Sequence, residues 1–141
     1  MPPSRLAPAL AALAHIAAAP AEPMTMKVMM RDHVNPAALD FWAGGNEAPE
    51  GETKAEAKER WKATLTAART LQTYGALMQT PEHTRVGRWN EYAALMAEQG
   101  KLGEAAAKTE DADKAFEIGA RLYDSCAGCH NLYIPRPARL P

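Results

Sequence analysis

The sequence is poor in several things that whole classes of function require. Its 141 residues include only two cysteines, which excludes a multiply disulfide-bonded scaffold and a four-cysteine metal site. Formal charge nearly cancels, at −1, and no basic run or aromatic-studded basic patch occurs, so no nucleic-acid partner is expected. No stretch reaches the ~18 consecutive apolar residues of a membrane-spanning helix, so no stable membrane span is expected. Valine and isoleucine are scarce, whereas Ala, Glu, Lys, Leu and Met abound. That balance favours helix over sheet. No nucleophile–base arrangement, paired carboxylates or phosphate-binding glycine loop appears, and Asp111 and Asp113 are too few for a calcium loop. Nothing points to an enzyme that works through its own side chains.

What is present lies near the C-terminus. Cys126-Ala127-Gly128-Cys129-His130 spells C-x-x-C-H, the attachment pattern of a c-type haem. Two thiols add across the two vinyl groups of the macrocycle, and the two-residue gap brings their sulfurs to one side of it. The adjacent imidazole is then the proximal ligand of the iron. Three rival readings explain less. A thioredoxin-like C-x-x-C should follow a strand, and here the preceding residues are helix-patterned. A zinc site wants four ligands, but His15, His33 and His83 are scattered singly. A plain disulfide accounts for both cysteines and leaves His130 unexplained.

The first residues read as an export signal. Arg5 precedes a mostly Ala and Leu stretch over Leu6 to Ala19, and small-residue cleavage sites occur at Ala17-Ala18-Ala19 and Ala19-Pro20-Ala21. Covalent haem attachment in bacteria takes place outside the cytoplasm, so the motif independently calls for a periplasmic location. Residues 1–21 are therefore expected to be the signal and 22–141 a single haem domain.

Four helical segments are expected after it. The first runs from about Met24 to Phe41, with Met24, Met26, Met29 and Met30; Pro36 either kinks it or restarts it, with Asn35 as N-cap. Gly44-Gly45-Asn46 stops it. The second spans about Thr53 to Gln79, with Trp61, Leu65, Ala68, Leu71, Gly75 and Met78 on one stripe. The third begins near Arg85, carries Val86, Trp89, Ala93, Met96 and Gly100 on one face, and reaches Ala107. The fourth runs from about Asp111 to Leu132, capped by Asp111 or Asp113. Its inner stripe reads Ala115, Phe116, Gly119, Leu122, Tyr123, Cys126, Cys129, His130 and Tyr133. Cys126, Cys129 and His130 stand at i, i+3 and i+4, so the haem is carried on the last helix. The expected fold is all-α, an antiparallel four-helix bundle with covalently attached haem on the C-terminal helix.

Trp89 opening the third helix, Asp113 and Ala115-Phe116 in the fourth, and the run Leu122 to Tyr133 around the motif carry a likeness to a known family. Over roughly Met24 to Tyr133 the chain resembles the class II c-type cytochromes, the cytochrome c′ and c-556 group, and the Met-rich first helix running into Asn35-Pro36-Ala37-Ala38 is similar to the c-556-like branch. The resemblance implies that the distal iron ligand comes from the first helix. It favours Met30, six residues before Pro36, over Met26, Met29 or His33. It also admits a homodimer through the first two helices. Tyr123 and Tyr133 flank the motif and are expected to pack on the porphyrin. Arg31, Arg85 and Arg88 are candidates to pair with the haem propionates.

The distal ligand decides function. Met30 opposite His130 suits a periplasmic carrier of single electrons serving redox partner proteins. An open distal face suits a five-coordinate protein binding nitric oxide or carbon monoxide. A third reading is a redox subunit beside a dehydrogenase.

Overall fold

A computed structural model of the chain describes residues 23–134. The expected signal at 1–21, with His15, lies outside them. Among the described residues every regular element is helical. The first arm consists of α1 (Met26–Met29), a π-turn (Met30–Val34) and α2 (Asn35–Gly45), running on without a break. Then come α3 (Lys54–Leu77), α4 (Trp89–Lys108) and α5 (Ala112–Tyr133).

The first arm differs from expectation at Pro36. Asn35 does not cap a new helix: its backbone is helical and no cap bond comes from its side chain or its neighbour's. The cap is Thr25, whose hydroxyl accepts the Val28 N–H at 3.3 Å. The Asn35 N–H instead donates to the Met30 carbonyl, five residues back. A proline lacks the N–H of the regular ladder, and its ring crowds the carbonyl four residues earlier. Widening the turn just ahead of Pro36 relieves that crowding and lets the helix continue.

α3 begins with a reciprocal capping box. The Thr53 hydroxyl accepts the Glu56 N–H at 3.3 Å, and the Glu56 carboxylate accepts the Thr53 N–H at 2.8 Å. Its stripe buries Trp61, Ala68 and Leu71 as expected, with Leu65 only partly covered. α4 starts later than its periodicity suggests. Gly87 holds φ at +83°, a left-handed conformation that ends any helical run there, and Val86 is 91 % exposed rather than part of the inner face. Trp89 is the first core residue, and its indole N–H donates to the Met78 carbonyl at 2.8 Å.

α3 and α4 run antiparallel with their backbones almost touching. A Cβ on Gly75 would sit 2.6 Å from the Ala97 nitrogen, and one on Gly100 would sit 2.7 Å from the Ala68 carbonyl oxygen. α5 opens on Asp111, whose carboxylate accepts the Lys114 N–H at 2.9 Å. It closes the bundle against α4 and α2, with the Trp42 indole donating to the Gly119 carbonyl at 3.0 Å. The four helical arms thus pack as a bundle.

The inner stripe of α5 is rotated from expectation. Ala115, Ile118, Gly119, Leu122, Ser125 and Cys129 are buried, whereas Phe116 and Tyr123 are 63 % and 62 % exposed and His130 is exposed too. Phe116, Tyr123 and His130 are spaced by seven and form one column. That column lies at the rim of the buried face, because a seven-residue repeat keeps nearly the same azimuth on a helix.

Candidate cofactor site

Tyr123 and His130 of the rim column border a cavity of about 340 Å³ to which the first arm, α4, α5 and Met78, just past the end of α3, contribute, within the size range of small-molecule and cofactor sites. α5 supplies Tyr123, Cys126, Cys129 and His130; the first arm supplies Met30, Val34, Ala38 and Trp42; α4 supplies Tyr92 and Met96. A second cavity of about 270 Å³ shares Met30, Cys129 and His130 with the first and adds Met26, Arg85, Trp89 and Tyr133. These three shared residues sit where the two cavities adjoin.

The two thiols lie one helical turn apart, Cys126 half-buried and Cys129 buried, and neither is in a disulfide. Burial pushes both thiols up from their ordinary range. Ionisation of the neighbouring Cys129 would push Cys126 further the same way, while the Arg85 guanidinium partly offsets the rise at Cys129. Both are therefore protonated at neutral pH and weakly nucleophilic as they stand.

Gly128, between them, is demanded by packing. A Cβ there would collide with the Tyr92 ring. The Tyr92 backbone is tied to α5 in turn: its carbonyl accepts the Ser125 hydroxyl at 2.8 Å, while the Arg88 guanidinium lies 5.0 Å from its ring centroid. Arg88 itself pairs with Glu91 at 2.8 Å.

The candidate distal residues separate sharply. Met30 lines both cavities. Met29, one residue earlier, is 0 % exposed in the core. Met26 borders the smaller cavity only, and His33 stacks on Tyr74 of α3, centroids 4.7 Å apart, lining neither. An unbroken α-helix would put Met26, Met30 and His33 on one face; the widened turn carries His33 away from it. The two tyrosines also part company. Tyr123 borders the larger cavity at its exposed rim, while Tyr133 lies in the smaller one, edge-on to Trp89 at 5.0 Å, its hydroxyl donating to the Val86 carbonyl at 2.7 Å.

Sequence reasoning did not single out Trp42 or Tyr92 as site residues. Each stands beside a core position on its helix, and that flanking place is the signal that marks a cavity wall. Among the described residues no group of three or more His, Cys, Asp or Glu side chains could hold a bare metal ion. Comparison with protein-family models, with curated proteins and with solved structures finds no match to this chain.

Proposed function

We propose that the chain is an exported class II c-type cytochrome that carries single electrons on a haem held by Cys126 and Cys129, with His130 as proximal and Met30 as distal ligand. One observation carries the reading: Met30 and the Cys126, Cys129 and His130 set, from opposite ends of the domain, line a single cavity. The residues fit the group chemically. Two unpaired thiols one turn apart are the partners that thioether bonds to two vinyl groups need. One imidazole and one thioether are among the axial ligands that haem iron takes.

When bound, the haem supplies an iron that cycles between ferric and ferrous states. The chain supplies the rest. Thioether links at two positions of one rigid helix hold the group in place without relying on affinity alone. Val34, Ala38 and Met96 make an apolar wall, which excludes water and disfavours the more highly charged ferric state. A Met30 thioether acts in the same direction, raising the potential. The exposed rim at Tyr123 and His130 is the edge nearest to a redox partner. A periplasmic location follows from the attachment chemistry and the expected signal.

The test is an optical spectrum of protein produced in a host that matures c-type haem. A low-spin spectrum that Met30→Ala converts to high-spin is expected. A wild-type protein already high-spin, and shifted by carbon monoxide or nitric oxide, would replace the carrier with a gas-binding protein.

A further inference from the structure

Arg85 stands apart from the other described arginines. Arg31 pairs with Asp32, Arg60 with Glu52, Arg69 with Glu104, Arg88 with Glu91 and Arg121 with Asp124. Arg85 has no carboxylate partner among the described residues. Its guanidinium lies over the Trp89 ring, 5.1 Å from the centroid. It lines the smaller cavity beside Met30, Cys129 and His130, and among the described residues no Asp, Glu or Lys lines either cavity. Among the described residues the two cavities thus hold one permanent charge, a positive one, with no counter-charge of their own.

The position is braced from two sides. The Tyr133 hydroxyl donates to the Val86 carbonyl at 2.7 Å, tying the loop to the end of α5. His83 Nε2 hydrogen-bonds the Met24 carbonyl at 2.9 Å and its Nδ1 meets the Thr80 hydroxyl at 3.2 Å, tying the same loop to the start of the first arm. Gly87, at φ +83°, then turns the chain into α4. An arginine stacked on an aromatic face keeps its planar fork of N–H donors along its edge, and that fork matches a carboxylate bidentately.

We propose that Arg85 anchors a carboxylate of the ligand that fills these cavities; resting on the haem reading above, that carboxylate is a haem propionate. The thioether links fix which way round the macrocycle sits; Arg85 then holds that propionate in place and keeps a positive charge beside the macrocycle. The sequence left Arg31, Arg85 and Arg88 equivalent. Arg31 and Arg88 line neither cavity and already hold a carboxylate.

The experiment compares haem-loaded wild type with Arg85→Gln, Arg85→Lys and, as control, Arg69→Gln, whose guanidinium pairs with Glu104 away from both cavities. Three things are read: covalent haem content, equilibrium reduction potential, and the propionate-bending band in the resonance Raman spectrum. Arg85→Gln should lower the potential and move the band. Arg85→Lys should recover much of the potential, because the charge is kept, yet leave the band displaced, because the fork is lost. Arg69→Gln should move neither. If Arg85→Gln fails to attach haem, Arg85→Lys carries the test through the same two signals. A wild-type chain without covalent haem overturns the underlying reading. A haem-loaded chain whose potential and band are unmoved in both Arg85 variants overturns the anchor alone.

Discussion

The Tyr92 ring on α4 lies so close to Gly128 on α5 that a Cβ there would stand 2.9 Å from the tyrosine oxygen and nearer still to two ring carbons. The residue between the two cysteines is therefore set by a neighbouring helix, and the wall of the cavity is set by that residue. Packing and attachment chemistry meet at one position.

Gly128→Ala should cost about 1 kcal/mol, at the low end of overpacking, because the obstructing atoms are the far end of a side chain that can turn away. Denaturant unfolding measures it. In a Tyr92→Ala background the extra cost should vanish; the same cost in both backgrounds would show that the ring is not the obstacle.

Gly100→Ala should be worse. Helix propensity favours Ala by about 1 kcal/mol, but the added Cβ meets the Ala68 carbonyl and the backbone of Gln72, and two helix backbones cannot yield as a ring does. A net loss of about 2 kcal/mol is expected. A melting temperature that stays level or rises would mean the α3–α4 approach is looser than described.

Met29 and Met30 should fail in different ways. Met29→Ala removes a fully buried side chain and should destabilise by roughly 2–5 kcal/mol while leaving the spin state low. Met30→Ala should change the spin state with a smaller loss of stability, since Met30 is only partly buried. Swapped outcomes would move the ligand to Met29 and contradict the widened turn.

Hydrogen bonds from Arg60 at 2.6 and 2.9 Å hold the Glu52 carboxyl below the usual carboxylate range. A depressed folded value means the stabilisation is complete above the unfolded value, about 4.3, and is lost as pH falls through the folded one. Acid should therefore weaken wild type below about pH 4.3 more steeply than Glu52→Gln. Parallel acid profiles would show that the pair adds nothing.

Much of the fold was legible because its signals are local. Thr53 and Glu56 stand three apart, as the reciprocal cap requires, and Asp111 precedes its helix in the place a cap needs. Other features were misread because local and tertiary signals competed. Val86 fits the period of α4, but Gly87 breaks the backbone before that period can act. Phe116 and Tyr123 fit the apolar stripe of α5, yet the core takes the neighbouring arc through Ile118 and Ser125. A stripe wider than the contact face does not say which edge stays outside.

The sequence by itself determined the helical segments and the i, i+3, i+4 placement of Cys126, Cys129 and His130, since caps and helical spacing act over a single turn. Tertiary structure alone decided that Met30 and not Met29 shares a cavity with that set, and that Arg85 has no carboxylate partner among the described residues. Met26, Met29 and Met30 share one local chemistry, as do Arg31, Arg85 and Arg88. The widened turn before Pro36, and the bracing of the Arg85 loop by Tyr133 and His83, tell them apart through contacts between residues far apart in the chain, which spacing along one helix does not encode.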